Sequence, residues 1–66
     1  VAIAGADGAV RVSVASDSKV EIFDVNGRRV FAGNISADTT IPMATGYYAV
    51  RVENADGSMA RIVSVK

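Results

Sequence analysis

The stretch Val20–Phe31, Val-Glu-Ile-Phe-Asp-Val-Asn-Gly-Arg-Arg-Val-Phe, decides the fold class of this chain. It consists of two β-favouring runs joined at Asn26-Gly27. Asn-Gly between such runs is a strong hairpin signal, because a type I′ turn needs positive φ at both central residues and these two residue types tolerate it best. The sequence therefore predicts a β-hairpin with Asp24, Asn26 and Gly27 as its turn residues.

Further β-like runs precede this hairpin. Val1–Ala4 is a short run that ends at the turn-forming segment Gly5–Gly8. Ala9–Val14 follows, and its valines alternate with polar residues with the period of two that is typical of a half-buried strand. We expect one face of this strand to carry Val10, Val12 and Val14.

The segments that follow the hairpin are less regular. Ala32–Asn34 has the composition of a turn, and Ile35–Pro42 is a weaker extended segment. Pro42 has no donor N–H, which predicts that this segment lies at a sheet edge or at its end. Ala44–Gly46 is predicted to form another turn.

Two strong strands end the chain. Tyr47–Glu53 alternates so that Tyr48, Val50 and Val52 share one face, which predicts Tyr48 in the core and Tyr47 on the surface. Asn54–Gly57 is predicted to close a hairpin onto Ser58–Val65. Ile62 and Val63 are adjacent, so alternation alone leaves the inward face of this last strand open.

About seven short strands with frequent turn signals and no helical periodicity predict an all-β domain. Two architectures fit this pattern, a small immunoglobulin-like β-sandwich of mainly antiparallel strands and a small barrel, and the sequence leaves both open. We expect residues 1–66 to form a single domain. Because the chain begins at Val1 without Met, we also expect it to be a piece of a larger protein.

Composition limits the possible functions. The chain has 66 residues, and a chain of this size buries only about 60% of its unfolded surface, which leaves room for a thin core but not for a deep cleft. Seven basic and seven acidic residues give a formal charge of zero, which disfavours nucleic acid and anionic membranes as partners. No apolar run approaches the length of a membrane-spanning helix, so direct membrane insertion is not expected.

The residues that usually carry chemistry are missing. The chain has no His and no Cys, which excludes imidazole bases, thiolate nucleophiles and the metal sites built from them. Asp24–Gly27 matches part of a calcium loop, but Arg28 and Arg29 stand where further oxygen ligands would be needed. We expect no cofactor and no metal, and a small hydrolase is the least favoured reading.

Three blocks of sequence together resemble a known family. They are Asp24–Val30, with an Asp-x-x-Gly-basic hairpin, Gly46–Val52, with Gly-x-Tyr opening an apolar strand, and Arg61–Lys66, with basic residues around β-branched ones. In order and spacing these blocks are similar to the C-terminal sorting domain of type IX secretion cargo. The likeness covers Val10–Lys66.

The resemblance implies a seven-stranded immunoglobulin-like domain at the end of an exported protein of a Gram-negative bacterium. Such a domain is a sorting signal and not an enzyme. The outer-membrane secretion machinery recognises it on the way from the periplasm to the cell surface, and a surface sortase then removes it. The residues onto which the family's sorting determinants map are Gly46, Tyr48, Arg61, Ile62, Val63, Ser64, Val65 and Lys66.

One alternative stays open, a non-catalytic binding or spacer module that contacts glycan or protein next to a surface enzyme. The last strand raises a further possibility under either function. If it lies at a sheet edge, its unpaired N–H and C=O groups could be captured by a receptor strand or by another copy of the chain.

Overall fold

The computed structural model describes residues 2–55 and 57–66, and in this part of the chain it contains seven β-strands. No helix that is long and apolar enough to cross a membrane is found among these residues. The strands, in chain order, are β1 Ala2–Ala6, β2 Ala9–Ser13, β3 Ser18–Phe23, β4 Arg29–Ile35, β5 Thr39–Pro42, β6 Gly46–Asn54 and β7 Gly57–Val65.

The strands form two antiparallel sheets, which confirms the predicted all-β sandwich. One sheet has the strand order β1-β2-β5 and the other the order β4-β3-β6-β7. Strand β5 pairs only with β2, so Pro42 lies at a sheet edge as predicted. Strand β7 pairs with β6 across the tight connection between Asn54 and Gly57, which confirms the last predicted hairpin; Asp56, a part of that prediction, lies outside the described residues.

The core is built from the inward faces of both sheets. Each strand supplies alternate residues, as the period of two predicts. Val63 is 6% exposed whereas Ile62 is 74% exposed, which settles the face of β7 that the sequence left open. The buried cluster consists of Ile3, Val10, Val12, Val20, Ile22, Ile41, Val50, Val52, Val63 and Val65, with Val14, Phe31, Ile35, Met43 and Tyr48 packed against it.

The predicted hairpin exists, but its type I′ turn is wrong. Five residues separate β3 from β4, and Gly27 has φ +80° while Asn26 has no positive φ. The C=O of Asp24 accepts the N–H of Gly27 at 3.0 Å. Its carboxylate Oδ1 also accepts the N–H groups of Asn26, at 2.9 Å, and Arg28, at 3.0 Å. These two bonds favour the longer loop, because an Asp side chain that caps the backbone offers an alternative to the tight turn.

Two predicted loops are also wrong. Ala32–Asn34 lies within β4, where Ala32 pairs with Glu21 and Asn34 with Lys19 on β3. The Ile35–Pro42 segment is accordingly divided between the end of β4 and β5. The predicted loop Gly5–Gly8 is shorter, because β1 extends through Ala6 in register with β2. In each case pairing with the neighbouring strand overrides the turn preference of the residues.

Candidate recognition surface

Strands β6 and β7 bring together two of the three sequence blocks that carry the family resemblance. In their antiparallel register Gly46 lies opposite Val65, and Tyr48 lies opposite Val63. Residues fifteen or more positions apart in the chain are therefore direct neighbours at one end of the four-stranded sheet. The predicted sorting residues therefore lie together on two adjacent strands, some on the outer face of the sheet and the others on its inner face.

Gly46 and Tyr48 each have a structural role in this region. Gly46 opens β6 with φ +155°, a value that residues with a side chain rarely adopt. The Tyr48 ring is half-buried against the core, and its hydroxyl donates to the main-chain oxygen of Ala44 at 2.8 Å. Both predictions of tyrosine placement are confirmed, since Tyr47 is 63% exposed.

The closing segment Arg61–Lys66 divides into two sets of residues. Val63 and Val65 point into the core and are almost fully buried. Only the other members can meet a partner directly without unfolding the chain, and these are the exposed residues Arg61, Ile62, Ser64 and Lys66.

The end of this segment is held by the first hairpin, which β1 and β2 form. The N–H of Lys66 donates to the C=O of Ala6 at 3.3 Å, and the N–H of Gly8 donates to the C=O of Lys66 at 2.7 Å. Gly5 faces Ser64 so closely that a Cβ on Gly5 would overlap the main-chain oxygen of Ser64. The backbone around Lys66 is therefore covered by β1 and the β1–β2 turn.

The third block, in the β3–β4 hairpin, also lies next to β6 and β7, because its loop residues share a depression with them. A shallow depression of about 230 Å³ is lined by residues of all three blocks: Asp24, Val25, Tyr47, Tyr48, Ala49 and Ile62. Val25 is 76% exposed and was not among the predicted site residues. Nothing in its local sequence distinguishes it from other turn residues, and its position depends on how the β3–β4 loop folds over the sheet.

The outer face of the four-stranded sheet carries an apolar row at this end. Phe23, Ala49 and Ile62 lie side by side on β3, β6 and β7. Two ion pairs border this row, and one of them includes Arg29, the register partner of Phe23 on β4. Arg29 Nη1 lies 3.3 Å from Glu21 Oε2, and Arg51 Nη2 lies 3.0 Å from Glu53 Oε2.

The depression on this surface is lined by apolar and hydrogen-bonding side chains. Among the described residues no three Asp or Glu side chains lie close enough together to hold a metal ion. The Asp24 carboxylate, which the partial calcium motif singled out, accepts backbone N–H groups through Oδ1. The exposed apolar residues are suited to binding another protein, as is the side chain of Arg61, which has no ion pair with any described residue.

The comparisons with known proteins agree with this geometry. The family model described as the secretion system C-terminal sorting domain matches residues 6–66, which include all three blocks. No curated protein and no solved structure is significantly similar to the chain. Domains of this family are not catalytic, and they mediate the interaction of exported cargo with the secretion machinery. The chain belongs to the secretion system C-terminal sorting domain family and is a C-terminal sorting signal for type IX secretion.

Proposed function

We propose that this domain is the C-terminal part of a larger exported protein and acts without catalysis of its own. The outer-membrane translocon reads the surface formed by the β6–β7 pair, and a surface sortase then cleaves the domain from its cargo. In this proposal Gly46, Tyr48, Val63 and Val65 hold the surface in shape. The exposed residues of Arg61–Lys66 are the ones that the translocon contacts.

The observation that carries this proposal is the convergence of the three sequence blocks on one depression. Asp24 and Val25 from the hairpin, Tyr47 from β6 and Ile62 from β7 line it together. A receptor that bound here would contact all three blocks at once. Three weak sequence signals would then serve one recognition event, which accounts for their occurrence together in this chain.

An export assay tests this function. A periplasmic reporter is fused in front of the chain and expressed in a Gram-negative host that has a type IX secretion system. We expect the reporter to reach the cell surface and to lose the domain there. Deletion of Arg61–Lys66 would also remove the buried Val63 and Val65, so the decisive variant changes exposed residues only, namely Arg61→Ser, Ile62→Thr and Lys66→Ser.

A matched control separates recognition from general surface effects. It replaces the same residue types, two basic and one β-branched, at exposed positions outside the β6–β7 surface: Arg11→Ser, Val30→Thr and Lys19→Ser. Both triple variants should keep the circular dichroism spectrum of the parent. Export lost only in the first variant supports the proposal, whereas equal export of the two contradicts it.

The alternative of a glycan-binding module has less support here. Stacking on a sugar normally requires several aromatic rings on one face. The register places Phe23 beside Ala49 and not beside a second aromatic ring, and Phe23 is half-buried. A parent chain that binds a polysaccharide but does not carry the reporter to the cell surface, with binding lost in Tyr47→Ala, would favour this module over the sorting function.

A further inference from the structure

Strand β7 has a ladder partner on one side only. It pairs with β6 from Gly57 to Val65 and forms the edge of the four-stranded sheet. Near Lys66 the other side is covered by β1 and the β1–β2 turn. Over Gly57–Ile62, in contrast, every residue is exposed. The first half of β7 is therefore an open edge, and the second half is not.

The register identifies the backbone groups that face outward at this edge. In an antiparallel strand the N–H and C=O of one residue point to the same side, and the side alternates from residue to residue. Lys66 directs both groups to the first hairpin, away from β6. Residues of the same parity in the open half form no ladder with a second strand among the described residues, and these are Ser58, Ala60 and Ile62.

The other outer strands carry features that discourage pairing. Strand β4 begins next to a β-bulge at Ile22/Phe23 and carries Arg29, which is ion-paired with Glu21. Strand β5 ends in Pro42, which lacks the donor N–H. Strand β1 lies against the end of β7. The open half of β7 has small side chains at Ser58 and Ala60, which let another backbone approach closely.

We propose that Ser58–Ile62 accepts an extended strand from a protein of the secretion machinery, which thereby adds a fifth strand to the four-stranded sheet. This inference rests on the proposed function and specifies how the domain is read. Main-chain hydrogen bonds to Ser58, Ala60 and Ile62 supply the attachment. The receptor strand pairs with the middle of β7, while the backbone of Ser64–Lys66 remains held by the first hairpin and leaves its exposed side chains available for contact.

Side chains beside this edge define the chemistry of the partner strand. Ile62, 74% exposed, points to the outer face next to the depression, so it favours an apolar residue across from it. Arg61 points to the opposite face and has no ion pair with any described residue. It favours an acidic residue at the adjacent partner position. The expected partner is an extended segment that alternates apolar and acidic residues.

A proline substitution tests the pairing directly. Ala60→Pro removes an N–H that points away from β6, so the ladder with β6 is kept and the proposed partner bond is lost. Ala60→Ser retains the N–H and is the matched control. In the export assay we expect surface reporter to fall at least tenfold for Ala60→Pro and to stay within twofold of the parent for Ala60→Ser. A folded Ala60→Pro variant that is exported normally overturns the inference, while export of the parent chain continues to support the sorting function.

Amide hydrogen exchange provides a second test that does not depend on any variant folding. In the isolated chain we expect slow exchange at Met59 and Arg61, which bond to β6, and fast exchange at Ser58, Ala60 and Ile62. Uniform protection from Ser58 to Ile62 overturns the open edge. Sedimentation that shows a dimer of the parent, absent for Ala60→Pro, also overturns it, because a second copy of the chain would then occupy the edge.

Discussion

The main-chain N–H of Gly8 donates a hydrogen bond of 2.7 Å to the main-chain oxygen of Lys66, so the first hairpin holds the last residue of the closing segment Arg61–Lys66. The C=O of Gly8 accepts the N–H of Met43 at 3.0 Å. One peptide group on each side of Gly8 thus ties together the β1–β2 turn, the β5–β6 connection and the end of β7. The backbone at the end of Arg61–Lys66 is therefore fixed by hydrogen bonds to another part of the fold.

Gly5→Ala tests the close approach of β1 to β7. The added Cβ would overlap the main-chain oxygen of Ser64, and backbone cannot move aside as a flexible side chain can. Overpacking of this kind costs about 1–3 kcal/mol. We expect a thermal midpoint lower by roughly 4–8 °C per kcal/mol for a domain of this size. Ala4→Ser, at an exposed position of the same strand, should melt like the parent; equal midpoints for the two variants would show that β1 does not press on Ser64.

Tyr48→Phe tests the bond that holds the start of β6. The change removes the 2.8 Å hydrogen bond from the Tyr48 hydroxyl to the Ala44 oxygen and leaves the ring in place. A single hydrogen bond of this kind contributes about 1 kcal/mol. Urea unfolding should therefore show a loss of that size for Tyr48→Phe and none for Tyr47→Phe, whose ring is exposed. Equal losses at the two positions would argue against a specific role of the Tyr48 hydroxyl.

The strands of this fold were predictable because burial on one face imposes a period of two on the sequence. Val10 and Val12, like Val50 and Val52, are almost fully buried where alternation places them. The conformation of the turn at Gly27 was not predictable, because the Asp24 carboxylate competes with the tight turn for backbone N–H groups. The place of Gly33 within a strand was not predictable either, since only its pairing with Val20 on a neighbouring strand determines it.

The candidate site was predictable only where a local sequence motif indicates it. Gly46, Tyr48 and Arg61–Lys66 were identified from local motifs, and the structure places them side by side on β6 and β7. The position of Val25 next to Ile62 depends on how the β3–β4 loop folds over the sheet. The covered end of β7 depends on contacts between segments almost sixty residues apart. No local pattern carries either kind of information.

Asp24→Ala tests the cap of the hairpin loop. It removes both hydrogen bonds that Oδ1 accepts, from the N–H groups of Asn26 and Arg28. Loss of such a capping side chain costs about 1 kcal/mol. We expect a lower urea midpoint with an unchanged slope, since the same surface is exposed on unfolding. Asp38→Ala removes a carboxylate from an exposed position without a cap and is the matched control; a similar loss there would attribute the effect to charge.

Ile22 and Ile62 allow one substitution to separate the roles of core and surface. Ile22 is fully buried on β3, whereas Ile62 is 74% exposed on β7. Ile→Val in a core costs about 0.5–1.5 kcal/mol, while surface changes usually stay within about 0.5 kcal/mol. Urea unfolding should therefore show a clear loss for Ile22→Val and almost none for Ile62→Val.

The more polar change Ile62→Thr extends this comparison to function. We expect it to leave stability nearly unchanged, because the side chain is exposed, and to reduce export of a fused reporter several-fold, because the apolar contact beside the open edge is lost. Ile22→Val, although less stable, should be exported as long as it remains folded at the growth temperature. The opposite pattern, with export following stability and not the identity of residue 62, would mean that the secretion machinery recognises only the folded state of the domain.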